Sequence, residues 1–300
     1  MSSTLPQTVV RPEFEADDLA TASNADVARK LTLWEKVSNL DGVRKLTILV
    51  VLMVAWELYT RLSGVSGLIL PRFSDTVAAL YDSVVHDQLL IMIKNSMSVL
   101  ITGYAIGLVI ATLLTTVAIM TRFGSDILST LTAMLNPLPA IALLPLALLW
   151  FGLGSASVVF VLLHSVIWPV ALNAHTGFMG VSDTQRMVGR NYGLRGVMYV
   201  AKLLIPAAFP QILLGLKVGW AYAWRTLIAA ELVFGGAIAD TSGEQSGGLG
   251  WFVFANQMDM QIPYVFAGLF TVILVGVIVE SLIFTTIEAR TIRRWGMQSS

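Results

Sequence analysis

The feature that most constrains this chain is a succession of apolar stretches, each long enough to cross hydrocarbon. They run from about Lys45 to Ser63, Met97 to Met120, Ile127 to Trp150, Ser157 to Thr176, Pro206 to Phe234 and Pro263 to Ile287. A bilayer core of roughly 30 Å takes about 20 helical residues to cross. Inside it every backbone N–H and C=O must be bonded within the chain, which a helix achieves. The 300 residues are 56% hydrophobic and 13% charged, outside the range of soluble domains. The chain therefore reads as an all-α integral membrane protein with about six transmembrane helices over residues 45–300, preceded by a polar tail, residues 1–44. The tail lacks the apolar core and small-residue cleavage site of a signal peptide. Its Val27, Leu31, Trp34 and Val37 fall at helical spacing, which fits an amphipathic surface helix over 25–39 or a frayed tail equally.

Several chemistries drop out. The chain has no cysteine, so disulfides, iron–sulfur clusters and thiolate zinc sites are excluded. His86, His164 and His175 are scattered and form no ligand motif, so no metal site is assigned. The glycine-rich run Gly243 to Gly250 lacks the Gly-Lys-Ser/Thr of a phosphate loop. With a formal charge of zero and basic residues dispersed among loops, nucleic acid is not an expected partner. There is no nucleophile motif and no pair of carboxylates at catalytic spacing, so no catalytic residue is assigned and the chain is not expected to be an enzyme on its own.

Polar residues inside the apolar stretches are the informative ones. A charge at mid-bilayer costs at least about 2.5 kcal/mol, so it should face protein or water, or reach an interface. Lys217, Arg225 and Glu231 in the fifth stretch are candidates for a polar pathway. Arg225 has an alternative as an ion-pair partner of Glu231 or Glu57. His164 in the fourth stretch either bonds a neighbouring helix or touches a solute. The third stretch carries Pro137, Pro139 and Pro145, and such broken helices tend to line cavities. Asn136, at the start of that break, joins the pathway candidates. Gly103-x-x-x-Gly107 offers a flat face for close helix packing.

Between the fourth and fifth stretches lies a mostly polar segment, Ser182 to Pro206. Ser182 and Gln185 form an S-x-x-Q capping box that starts a short helix. Gly193 can take the left-handed turn that ends it. A second helix is expected from about Arg195 to Pro206, where the missing N–H should change the chain direction. The product is helix, glycine elbow, helix, proline.

This spacing resembles the coupling loop of ABC importer permeases, whose pattern is E-A-A, three residues, Gly, nine residues, Ile, one residue, Leu-Pro. The matching positions are Met187-Val188-Gly189, Gly193, Leu203 and Ile205-Pro206. Met187 stands in place of the family's acid and Val188 in place of its alanine. Asn136 to Gly154, Ala229 to Leu232 (A-A-E-L) and Gly248 to Trp251 (G-L-G-W) resemble the nitrate, sulfonate and taurine branch of this type I class.

The resemblance implies a homodimer of permeases, two ATP-hydrolysing subunits, a periplasmic or lipid-anchored substrate-binding protein and a small anionic solute. It implies that Gln185, Arg186, Met187, Val188, Gly189, Gly193, Leu203 and Pro206 form the ATPase-coupling element. ATP-Mg would belong to the partner, with no cofactor bound by this chain. Fourteen of the nineteen basic residues fall on one side if the N-terminus is inside, which puts both termini and the elbow in the cytoplasm of a bacterial inner membrane. An ion-coupled transporter or channel is the competing class. An inverted repeat and paired intramembrane acids would mark it, and neither is seen in the sequence.

Overall fold

The computed structural model describes residues 41–86, 89–238 and 247–292. The expected surface helix over 25–39 and the basic residues Arg293 and Arg294 lie outside the described residues. Two units are distinguished, residues 1–58 and 59–300. In the first, the described residues belong to helix α1 (Asp41–Leu62). The second holds α2 (Phe73–Val85), α3 (Leu89–Met120), α4 (Arg122–Leu135), a 3₁₀ turn (Ala140–Leu143) and α5 (Leu144–Phe151). It continues with α6 (Ser155–Met179), α7 (Asp183–Asn191), α8 (Gly196–Tyr199), a π turn (Val200–Leu204) and α9 (Ile205–Ile238). Last come α10 (Leu249–Met258), α11 (Ile262–Val279), a second π turn (Glu280–Phe284) and α12 (Thr285–Arg290).

Among the described residues four helical segments are long and apolar enough to cross a membrane: Leu89–Met120, Ser155–Met179, Val200–Phe234 and Ile262–Arg290. A fifth arises if α4 and the segment Ala140–Phe151, bent by 88° from one another, count as one broken span. The break falls at Asn136-Pro137-Leu138-Pro139, where two residues without N–H interrupt the ladder. The first expected span does form a helix, α1. Lys45, Glu57 and Arg61 keep it outside those four or five.

Helix α6 is the centre of the second unit, packed between α3 and α9. In lipid there is no hydrophobic drive to bring helices together, so close backbone approach through small residues matters most. A Cβ on Gly103 or Gly107 of α3 would lie 2.9 or 2.8 Å from Leu162 or Val166 of α6. On the other side, a Cβ on Gly215 or Gly219 of α9 would lie 2.8 or 2.9 Å from Asn173 or Val170. Gly103-x-x-x-Gly107 thus packs as its spacing predicts. Gly215-x-x-x-Gly219 does the same on the opposite flank of α6, a second motif that the sequence reading passed over. Hydroxyls stitch the trio further. Tyr104 donates to the Leu216 carbonyl at 2.9 Å, and Ser165 lies 2.9 Å from the Thr226 hydroxyl.

Three expectations are corrected. The chain does not stop at Pro206: the π turn Val200–Leu204 precedes it and leads straight into α9, its wider hydrogen bonding accommodating a residue that cannot donate to Lys202. The second apolar stretch, expected from about Met97, begins earlier: α2 ends at Val85 and α3 starts at Leu89, so Lys94, Asn95 and Ser96 are inside the long helix. The fifth stretch, expected to end at about Phe234, continues as α9 to Ile238, and a further helix, α10, occupies Leu249–Met258 before the sixth.

Candidate functional site

The end of α9 explains α10. Glu231 is 5% exposed, and its carboxylate accepts the Gly250 N–H at 2.9 Å. The Ser96 hydroxyl lies 2.8 Å from both carboxylate oxygens and accepts the Leu249 N–H at 2.8 Å. A carboxylate and a hydroxyl from two other helices therefore bond the first N–H groups of α10, which no helical carbonyl can reach. A side chain at Gly248 would overlap the carboxylate, and a Cβ at Gly250 would lie 2.6 Å from Glu231 Cβ. The A-A-E-L and G-L-G-W stretches are thus two halves of one junction, completed by Asn95, which donates to the Gly247 carbonyl at 3.3 Å.

Three of the five pathway candidates converge on one cavity of about 380 Å³. Asn136, His164 and Arg225 line it together with Trp168, Tyr222 and Thr226. Its floor is the proline break, its walls α6 and α9. His164 is fixed by both ring nitrogens: Nδ1 accepts from Trp168 Nε1 at 3.0 Å, so Nε2 carries the proton and donates to the Leu138 carbonyl at 3.2 Å. That carbonyl lies within the proline break, where the helical ladder is interrupted. His164 thus bonds the break itself and its own helix, not a neighbouring helix, and also lines the cavity.

Arg225 makes no ion pair with Glu231 or with any other described residue of its own unit. Lys217 differs. It pairs with Glu288 of α12, and like Glu231 it is absent from the cavity wall.

The cavity face was legible in part. Tyr222, Arg225, Thr226 and Ala229 recur at three, one and three residues, and His164, Ser165, Trp168 and Pro169 at one, three and one, the signature of one helix face. Pairing those two patterns would have found Trp168, Tyr222 and Thr226.

The elbow is built from its caps outward. The Ser182 hydroxyl accepts the Gln185 N–H at 3.3 Å while the Gln185 side chain accepts the Ser182 N–H at 3.2 Å. At the other end Gly193 adopts φ 75°, and the Leu194 N–H reaches back to the Gly189 carbonyl at 3.1 Å, closing the helix in a left-handed turn. Gly189 is buried, and a Cβ there would sit 2.8 Å from Leu203 Cδ2, so α7 lies directly on the π turn before Pro206. Arg186 donates to the Phe178 and Val181 carbonyls at 2.7 and 3.0 Å, tying the elbow to the end of α6. Four apolar residues are exposed among the polar ones of this element: Met187 is 57% exposed and Tyr192 82%, and Val188 and Met198 are exposed as well.

Apolar helices long enough to cross a membrane surround a cavity lined by Asn136, His164 and Arg225, and a capped helical elbow follows α6. Residues 107–292 match the family described as the binding-protein-dependent transport system inner membrane component, and the chain belongs to that family of transport permeases. The putative aliphatic sulfonates transport permease protein of Bacillus subtilis is 25% identical over 281 residues, 94% of this chain and 96% of that protein. The nitrate import permease protein of Synechocystis is 28% identical over 183 residues, 61% of this chain and 60% of its own length. The taurine transport system permease protein of Escherichia coli is 28% identical over 154 residues, 51% and 52% of the two chains.

Proposed function

We propose that this chain is the membrane-spanning subunit of an ATP-driven importer for a small anionic solute such as a sulfonate, taurine or nitrate. Two copies would form the membrane channel, with α1 as the sixth span and its charged ends at the interfaces. A periplasmic or lipid-anchored binding protein would deliver the solute, and two ATPase subunits holding ATP-Mg would drive the cycle. The distribution of basic residues favours a bacterial inner membrane with both termini and the 182–206 elbow in the cytoplasm.

The observation that carries this reading is the elbow. Met187, Val188, Tyr192 and Met198 are exposed on an element whose capped helix Gly189 seats against Leu203. Exposed apolar residues rimmed by polar ones mark a protein contact, and a rigid element transmits displacement where a loose loop would absorb it. The cavity supplies the other half, since Arg225 offers five N–H donors and a fixed positive charge to an oxyanion.

The test is ATP-dependent uptake in proteoliposomes containing the chain with its ATPase and binding protein. Uptake should vanish when the ATPase is omitted, and uptake by this chain alone refutes the reading. A reporter fused after Gln185 should be active only in its cytoplasmic form. An Arg225→Ala variant that assembles normally should lose uptake, and wild-type transport removes Arg225 from the pathway.

A further inference from the structure

The mouth of the groove between α9 and α11 contains two opposite charges that do not meet. Arg225 and Glu280 both line this groove, of about 440 Å³, along with Trp224, Gly276 and Val277. A narrower recess nearby is bounded by the same arginine and glutamate. Neither residue makes an ion pair with any described residue. Glu280 is exposed, yet it belongs to the apolar segment Ile262–Arg290, ten residues from its end, or about 15 Å along a helix. Around it Ile273 and Val277 are also exposed, at 60% and 59%.

An ionised carboxylate at that depth cannot face lipid, and a guanidinium beside it cannot either. Water filling the groove would satisfy both, but would leave the exposed apolar residues of α11 wet. A protein surface presenting apolar side chains plus one acid and one base satisfies all of them. The surface that must present such a set is this one, turned about a two-fold axis. In an isologous contact, residue i of one copy meets residue j of the other, and j meets i.

We infer that the α9–α11 groove is the face on which two copies of this chain meet, with Arg225 of each copy paired to Glu280 of the other. The inference rests on the two-copy reading above and adds which surface makes the contact. Because Arg225 also borders the 380 Å³ cavity, one guanidinium would join the copy–copy contact to the solute space.

The absence of cysteine from the chain makes the test direct. Copies carrying Arg225→Cys and Glu280→Cys, with different tags, are co-expressed with the ATPase and oxidised in membranes. A disulfide-linked species bearing both tags is expected, while Val109→Cys on the exposed face of α3 should give none. Arg225→Glu or Glu280→Arg alone should lower the dimer fraction of the purified assembly severalfold, and the double reversal should restore it. Should a cysteine variant fail to assemble, Val277→Cys with a short bis-maleimide reads the same face.

A dimeric assembly in which neither the 225–280 pair nor Val277→Cys cross-links overturns this surface. So does a double reversal no better than its singles, or labelling of Glu280→Cys by a lipid-soluble maleimide in the intact assembly. An assembly holding one copy of the chain overturns the two-copy reading itself, a different result from any of these.

Discussion

Removing the Ser96 hydroxyl should loosen the membrane domain far more than the loss of one oxygen suggests. Ser96 donates to the Glu231 carboxylate and accepts the Leu249 N–H, each at 2.8 Å, so it lies in a relay from the start of α10 to the end of α9. Ser96→Ala deletes a hydrogen bond to a charged group, worth about 1.5–3 kcal/mol, and leaves a buried N–H unsatisfied at about 1–3 kcal/mol. The two costs overlap, because Gly250 still donates to Glu231, so a net loss of about 2–4 kcal/mol is expected. For a chain of this size that lowers the melting temperature by about 5–10 °C. Gly250→Ala attacks the same junction sterically. Its Cβ would lie 2.7 Å from the Ile228 carbonyl oxygen and 2.8 Å from the Leu232 nitrogen, backbone atoms of α9 that cannot yield singly, so α10 must move. Thermal unfolding of the purified assembly in detergent, followed by tryptophan fluorescence, measures both. A Ser96→Ala protein melting within about 1 °C of the parent would refute the view that this junction fastens α10 to α3 and α9.

Gly107→Val and Gly215→Ala should each cost about 1–3 kcal/mol through overpacking against α6, seen as a lower melting temperature, while Val109→Ala on the exposed face of α3 changes it little. Gly193→Trp places a side chain at φ 75°, a strain of about 1–3 kcal/mol, and should leave the chain in the membrane but reduce ATP-driven uptake. Undiminished uptake counts against the elbow as a coupling element. Asp82, on α2 outside the apolar spans, is held below its ordinary carboxylate value first by the Tyr264 hydroxyl at 2.7 Å and then by His86. A depressed folded-state value means stability present above the unfolded value and lost as pH falls through the folded one, so this contribution fades only in acid below the ordinary carboxyl value of 3.8. Tyr264→Phe should move the Asp82 titration back up towards that value in a carboxyl-resolved NMR titration.

Local rules carried far in this chain because a membrane leaves few alternatives to them. The proline pair after Asn136 predicts a break, and the observed 88° bend is what two missing donors do to a helix. The Ser182–Gln185 box and the turn at Gly193 are set by backbone chemistry within a few residues, and both form. Pro206 misleads for the same reason. A missing N–H announces a defect, but whether it becomes a stop or a π turn depends on α7 packing at Gly189, seventeen residues earlier. The Glu231 junction was hidden because its parts are scattered from Asn95 to Gly250, and only the close pairing of an acid with glycines at 248 and 250 hinted at it.

The intramembrane polar residues separate once partners are known, and charge alone would not have sorted them. Lys217 is neutralised by Glu288 of α12, and Glu231 is held by Ser96 and the start of α10. His164 has both ring nitrogens engaged. Arg225 is what remains: a cation in an apolar helix, bordering a cavity on one side and a groove with Glu280 on the other, with no carboxylate of the described residues to meet it. Folding one copy leaves this residue exposed and without an ion pair, inside a segment where contact with lipid would be costly. Its energetics make sense only through something that arrives later, a solute anion or a second copy. Lys217→Met and Arg225→Met should therefore diverge. The first removes the cation that Glu288 faces on α9 and should lower the melting temperature, and the paired change Lys217→Met with Glu288→Gln should recover part of that loss. The second should leave the stability of a single copy unchanged or raised, while assembly and uptake fall. Equal destabilisation by the two substitutions would mean that Arg225 already has its partner within the copy.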